Sequence, residues 1–242
     1  MLRTSTAADI PALQALWQRC FGDPPAYTGL YFAHLWQPEQ VFVEAEGPEV
    51  RAMAIWFPLQ VGGSPAAYFY AVCTDPAYRR RGISRRLLAY AEASLRARGV
   101  AQFLLVPGDT GLFQFYAAQG YTCCGTIGQA PLCKPAPGDV APLSPEAYLA
   151  RRARCLTLPH AVYSLPLLEH QARLCTLAGG GLFALGETGC AVCERTPEGT
   201  LLVKELLGCE PVSGGNALLD HFHLTRGTVR FPDSNGAPFC MG

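Results

Sequence analysis

Residues 78–88 read Tyr-Arg-Arg-Arg-Gly-Ile-Ser-Arg-Arg-Leu-Leu, and this stretch constrains the chain more than any other. A β-rich run ends just before it, and an amphipathic helix begins within it. At a helix start the backbone N–H groups are unpaired and the helix dipole is positive, so such a loop favours an anion. Gly82 permits close approach of the backbone, and arginine keeps its charge at any ordinary pH. We therefore expect this loop to bind a ligand that carries a diphosphate.

The segments around the loop alternate between strands and helices. Residues 66–74 are rich in aromatic and β-branched side chains and are followed by Asp-Pro, which predicts a buried strand. Apolar residues at helical spacing predict a helix over 84–98. A second short apolar strand and a helix follow over 101–119, closed by Gly120 and Tyr121. Upstream, the sequence predicts helices over 7–21 and 24–36 and a hairpin of strands over 41–46 and 50–59.

The sequence contains two motifs, in this order along the chain: Arg79-x-x-Gly82-x-Ser84, and Phe115-Tyr116-x-x-x-Gly120-Tyr121. Together they make residues 1–125 resemble the GNAT superfamily of acyl-CoA-dependent N-acyltransferases. Ser84 departs from the usual glycine or alanine, whereas the second motif matches in full. The resemblance implies an α/β (α+β) fold with a mixed central sheet flanked by helices. It also implies that CoA is bound by the loop residues Arg79, Arg80, Arg81, Gly82, Ile83, Ser84 and Arg85.

The resemblance implies further roles for residues on either side of the loop. The backbone of Val72, Cys73 and Thr74 would pair with the pantetheine arm of CoA as an added strand does. Tyr116 would be the general acid that protonates the departing CoA thiolate. Asp109 stands where the family often has asparagine, and it would contact the pantetheine amide.

The sequence does not identify a single residue that accepts the proton of the attacking amine. Glu44 and Glu46 alternate with apolar residues in a predicted strand, so they share one face of it. One of these carboxylates, with Glu44 as our candidate, would relay the proton through water; the alternative is a solvent-facing strand edge. Tyr68 and Tyr70 are further candidates. Alignment of the amine with the thioester would supply part of the acceleration.

The composition changes at residues 131–140, where a Pro- and Gly-rich stretch predicts a linker between domains 1–130 and 141–242. Ser144 followed by proline predicts a helix start. The element order beyond it echoes the first unit, but no Arg-x-x-Gly loop follows the strand that ends at Leu207. We therefore expect a smaller, degenerate GNAT-like unit without a CoA loop. Its predicted elements are a helix over 165–177, strands over 181–185, 189–195 and 200–207, a helix over 216–221 and a strand over 228–231.

The two-unit organisation, with three arginines at positions 79–81, is similar to the acetyltransferases of the enhanced-intracellular-survival type. The resemblance predicts an N-acetyltransferase that moves an acetyl group from acetyl-CoA to a primary amine by direct attack. The amine would belong to a small molecule or a protein. The rival hypothesis, from another class, is a CoA-binding sensor or scaffold without turnover.

Composition excludes several other classes. The formal net charge is zero and the arginines are clustered, which does not favour a nucleic-acid partner. The sequence has neither a signal-peptide pattern nor an apolar run of membrane-spanning length, so we expect a cytoplasmic protein without a membrane partner; a homodimer is compatible with it. We expect the eleven cysteines to be small, buried thiols. Cys190 and Cys193 would point to opposite faces of a strand, so we predict no metal.

Overall fold

The computed structural model describes residues 1–157 and 159–232. The chain divides into two compact units, Met1–Tyr121 and Thr122–Gly242, each with its own sheet. Within the described residues, no helix has the length and apolar character needed to cross a membrane.

The first unit is a mixed sheet flanked by helices, as predicted. The strand order is β1-β2-β3-β4-β5, antiparallel except for the parallel pair β4–β5. The predicted helices and strands are all present, and a short first strand that the sequence did not predict is added. The elements are β1 (Leu2–Thr4), α1 (Ile10–Phe21), α2 (Pro25–His34), β2 (Val41–Glu46), β3 (Glu49–Val61), β4 (Ser64–Thr74), α3 (Ile83–Arg96), β5 (Gln102–Leu105) and α4 (Gly111–Ala117).

The two faces of this sheet are covered by different helices. Helix α3 buries an apolar stripe against one face, where its residue Tyr90 contacts Phe42 of β2 edge-to-face. On the other face, Trp17 of α1 contacts Tyr70 of β4. The sheet is thus buried on both sides, which holds the ends of β4 and β5 in fixed positions.

The second unit has a sheet of the order β6-β12-β11-β10-β9-β7, in which only the pair β11–β12 is parallel among the described residues. Like the first unit, the second unit contains a strand, a helix and a further strand that pairs in parallel with the first of the two strands. The elements are β6 (Ile127–Leu132), β7 (Val140–Pro142), α5 (Pro145–Cys155), β8 (Ala161–Val162), α6 (Leu165–Leu177), β9 (Gly181–Leu185), β10 (Gly189–Arg195), β11 (Leu201–Leu207), α7 (Pro211–His221) and β12 (Gly227–Pro232).

The predicted linker over 131–140 overlaps two strands of the second sheet. Strand β6 pairs with β12, with Pro131 opposite Thr228, and β7 begins at Val140. Proline is tolerated in β6 because this strand lies at the edge of the sheet. The unit boundary therefore lies after Tyr121 rather than near residue 130, and the second unit is as long as the first.

Candidate active site

The chain between β4 and α3 is held in one shape by its own hydrogen bonds. Asp75 caps the turn by accepting a bond from the Ala77 N–H at 2.9 Å, and its carboxylate pairs with Arg19 of α1 at 2.8 Å. Arg79 reaches back and donates through Nε to the Thr74 carbonyl at 3.1 Å. The loop is therefore held in shape by bonds within the chain.

Two residues of this loop adopt left-handed backbone conformations. Arg80 has a φ of 62° and Gly82 has a φ of 70°. A left-handed conformation costs energy for arginine but little for glycine. The helical ladder begins with the bond from the Arg86 N–H to the Gly82 carbonyl at 3.1 Å. The first amides of α3 precede this bond, and they are the groups that a helix leaves for an outside acceptor.

The arginines of the loop fall into two groups. Arg81 donates to the Ala77 carbonyl at 3.3 Å, and Arg86 donates to the Arg81 carbonyl at 2.8 Å, so these guanidinium groups stabilise the loop itself. Arg80 and Arg85 are exposed, and within residues 1–157 and 159–232 neither side chain makes a hydrogen bond or an ion pair. These two charges remain available to a phosphate.

Strand β4 is irregular just before the loop. The register between β3 and β4 shifts between Met53 and Ile55, which adds one residue to β4 and forms a β-bulge. Ala71, within the bulge, has a φ of 48°. Bulges re-aim the backbone, and here the change falls beside the predicted pantetheine-binding residues.

Strands β4 and β5 separate at the same level. Their parallel pairing runs from Ala66 with Gln102 to Phe69 with Leu105 and ends there. Beyond it β4 continues to Thr74 and still pairs with β3. Residues 70–74 therefore present a strand edge toward the gap between β4 and β5, which is the edge that an extended ligand arm needs.

Tyr116 of α4 lies in the core that covers the α3 side of the sheet and is 8% exposed. Its ring packs edge-to-face against Tyr121, whose hydroxyl donates to Glu92. Burial, and then the nearby Asp109 carboxylate, raise the pKa of Tyr116 above its usual value. The phenol therefore keeps its proton at neutral pH, as a general acid must.

Asp109 begins the helix that carries Tyr116. Its carboxylate accepts a hydrogen bond from the Leu112 N–H at 3.1 Å, which satisfies a free amide in the first turn of α4. The structure thus gives this residue a capping contact, and its predicted contact with pantetheine stays a prediction.

Glu44, the predicted base, lies on the α3 side of β2. Its carboxylate accepts from Arg86 of α3 at 3.0 Å, and its side chain is 14% exposed. This ion pair connects the first turn of α3 to the sheet. The sequence did not indicate the contact, because the two residues are 42 positions apart. A role for Glu44 as base stays a prediction, and the proposal below does not depend on it.

The tyrosines named as alternative bases lie on the other side of the sheet. The hydroxyl of Tyr70 is 3.0 Å from that of Tyr27 of α2. Burial raises the pKa of Tyr68 and of Tyr70 well above the usual value of a phenol. Both hydroxyls therefore stay protonated at neutral pH, and a role for either tyrosine as base stays a prediction.

The corresponding helix of the second unit is closed to anions. Glu210, between β11 and α7, accepts bonds from the N–H groups of Val212 at 3.0 Å and Ser213 at 2.6 Å. These contacts lower the pKa of Glu210, so its negative charge occupies the helix N-terminus. They also explain why α7 begins earlier than predicted. At α3 the equivalent place is left open by Gly82, which has no side chain to cap the helix.

The chain belongs to the GNAT acetyltransferase family, since the family model of the acetyltransferase (GNAT) domain matches residues 1–124. Acyl transfer is the class of reaction that this membership supports. The family's motifs were identified on the loop and on α4, and both lie within the matched region.

Solved structures are similar over both units. Eis1 from Mycobacterium abscessus aligns with a TM-score of 0.68 and 16% identity, over 97% of this chain and 67% of its own. A GCN5-related N-acetyltransferase from Anabaena variabilis gives 0.70 and 17%, over 97% and 66%. One from Kribbella flavida gives 0.71 and 17%, over 97% and 64%. These likenesses confirm the two-unit fold.

The chain spans about two thirds of the length of these three structures. No curated protein matches it.

Proposed function

We propose that the chain is an N-acetyltransferase that moves an acetyl group from acetyl-CoA to a primary amine. The observation that carries the proposal is the uncapped, preformed loop at the start of α3, beside an open edge of β4. A phosphate-binding loop alone would fit many ligands. A strand edge next to it, long enough for an extended arm, fits CoA.

Each part of the site has a task in this reaction. The amides at the start of α3, with Arg80 and Arg85, hold the diphosphate. The backbone of Val72, Cys73 and Thr74 pairs with the pantetheine arm, and N–H groups at the bulge polarise the thioester carbonyl. Acetyl-CoA supplies the activated acetyl group.

Tyr116 completes the transfer. As the amine nitrogen bonds to the acetyl carbon, the carbon–sulfur bond breaks, and Tyr116 donates its phenolic proton to the leaving thiolate. The attacking nitrogen gives up one proton to solvent water, and the Tyr116 phenolate takes one proton back from solvent, so protons and charge balance in the amide and free thiol products. Family membership and the raised pKa of Tyr116 support this role.

The replacement Tyr116→Phe tests the proposal because it removes one hydroxyl and keeps the ring. We expect kcat to fall by about 100-fold, at the lower end for general acid catalysis since a thiolate leaves readily, while CoA affinity is unchanged. A steady-state assay of thiol release with a panel of amines, beside a CoA titration, measures both quantities.

Tyr121→Phe is the matched control. It removes a hydroxyl from the neighbouring ring, which is bonded to Glu92 rather than directed at the reaction. Its kcat should stay near that of the unaltered chain. Full activity of Tyr116→Phe would remove the acid role, and CoA binding with no turnover of any amine would favour a CoA sensor.

A further inference from the structure

Two cysteine thiols lie close together directly before the loop that leads into α3. Cys20 lies near the end of α1 and Cys73 near the end of β4, and their thiols interact with each other. The Cys20 sulfur is also 3.6 Å from the carbonyl oxygen of Thr74. Cys20 is partly exposed, whereas Cys73 is 9% exposed. A small reagent can therefore reach the Cys20 sulfur, whereas the Cys73 sulfur is buried.

The charges around the pair make the two sulfurs unequal. The interaction with Cys73, together with the hydrogen bond and charge of Arg79, lowers the pKa of Cys20 to about 7, against the opposing effects of burial and, to a smaller extent, of Asp75. Asp75 is itself paired with Arg19. The interaction with Cys20, followed by burial, raises the pKa of Cys73. Cys20 thus supplies a nucleophilic thiolate at neutral pH and Cys73 a resolving thiol.

We propose that Cys20 and Cys73 are a modification site at which a hydroperoxide forms a reversible disulfide. The Cys20 thiolate attacks one peroxide oxygen, the O–O bond breaks, and a sulfenic acid and hydroxide result. The Cys73 sulfur then bonds to the Cys20 sulfur, and the departing hydroxide takes the Cys73 proton to become water. Two thiols are oxidised by two electrons, and hydrogen peroxide is reduced to two waters.

The disulfide changes the site next to it. A bond between sulfurs is about 2.05 Å long, much shorter than the approach of two sulfurs that are not bonded. It draws α1 and the end of β4 together at the residue that precedes Thr74, whose carbonyl anchors Arg79. The loop amides then lose their alignment. This consequence for CoA rests on the proposed function, whereas the disulfide itself does not.

A second thiol pair in the chain serves as a comparison. Cys155 is partly exposed, and its thiol interacts with that of the buried Cys190. Burial, however, raises the pKa of Cys155. Its thiol is therefore protonated at neutral pH and reacts slowly with peroxide.

The experiment treats the reduced, full-length protein with hydrogen peroxide at neutral pH, alkylates the remaining thiols and maps the peptides by mass spectrometry. We expect a cross-linked peptide joining Cys20 to Cys73, which dithiothreitol reverses. It should be absent from Cys20→Ser and present in the control Cys155→Ser. Cys20 found alkylated, or joined to another cysteine, while other thiols are oxidised would overturn the proposal.

Calorimetric titration with CoA tests the coupling to the loop. The oxidised protein should bind CoA about tenfold more weakly than the reduced protein, with recovery after reduction and no effect of peroxide on Cys20→Ser. Equal affinities of the two forms would overturn the coupling. If neither form binds CoA while the cross-link is found, the proposed function fails and the modification site stands.

Discussion

The Asp9 carboxylate ties together the first residues of the chain. It receives two bonds from the Arg3 guanidinium, at 2.7 and 2.8 Å, and bonds from the Thr6 N–H and hydroxyl at 2.7 and 2.9 Å. The residue is 5% exposed. The bonds from Arg3, and then those from Thr6, outweigh burial and lower the pKa of Asp9 to about 2.

This lowered pKa predicts how the first unit responds to acid. The unfolded chain holds its Asp9 proton up to an ordinary pKa of 3.8, so the carboxylate stabilises the fold above about pH 4 and ceases to do so as the pH falls toward 2. Asp9→Asn should cost about 2 kcal/mol at neutral pH and nearly nothing at pH 2. Urea unfolding at pH 7, 4 and 2.5 measures this, and a constant difference between the two proteins would contradict it.

At the scale of single residues, the sequence predicts features that depend on neighbouring positions but not contacts between distant positions. The spacing of Arg79 and Gly82 was enough to predict a loop that leads into a helix at this point, because it depends on neighbours along the chain. The partners that hold the loop were not predicted, since Arg19 and Asp75 are 56 positions apart. A distant ion pair leaves no pattern in a single sequence, so the difference between Arg81, which bonds within the loop, and the exposed Arg85 became evident only from the fold.

At the scale of elements, the starts of α3 and α7 differ by one carboxylate. Gly82→Asp would give α3 the negative charge that Glu210 gives α7, and would force an aspartate into a φ of 70°. We expect CoA affinity to fall more than about tenfold in a calorimetric titration.

Gly99→Asp separates charge from backbone strain. Gly99 follows α3, has a φ of 87°, and has open space around the position that a side chain would take. This variant should lose stability like Gly82→Asp but bind CoA normally. Equal loss of affinity in both variants would mean that strain, not the loop's chemistry, is responsible.

Elements with uniform patterns were predicted to the residue, as with α6 and the strands β9 and β10. Glycine or proline stands at or near both ends of each of these elements, so local signals agree. Strand β6 was missed because Pro131 reads as a linker, and only its position at the sheet edge makes proline acceptable. Edge position is a property of the whole sheet and is not visible locally.

In the whole molecule each unit has a core of its own, and that of the second unit contains an ion pair. Glu205 of β11 accepts from Arg152 of α5 at 3.1 Å, and the two residues are 1% and 2% exposed. The hydroxyl of Tyr148 donates to the same carboxylate. Arg152 also lies over the ring of Tyr163 at 4.2 Å. Removing the charge of Glu205 leaves a guanidinium buried without its counter-ion.

Glu205→Gln should therefore lower the free energy of unfolding by about 3–5 kcal/mol, the usual cost of breaking a buried pair. Glu169→Gln, which opens the exposed pair with Arg173, should cost under about 1 kcal/mol. Circular dichroism in urea measures both, since the three tryptophans all lie in the first unit and their fluorescence does not report on the second. Equal stabilities of the two variants would contradict the role of the ion pair.

In the loop before α3, the features that raise affinity for a ligand also lower the stability of the folded first unit. Because its hydrogen bonds are made within the chain, the conformational entropy of ordering it is lost during folding and not when a ligand binds. The left-handed Arg80 adds strain to the folded state for the same end. A ligand that meets such a loop keeps most of its interaction energy as affinity, and the first unit carries the corresponding loss of stability.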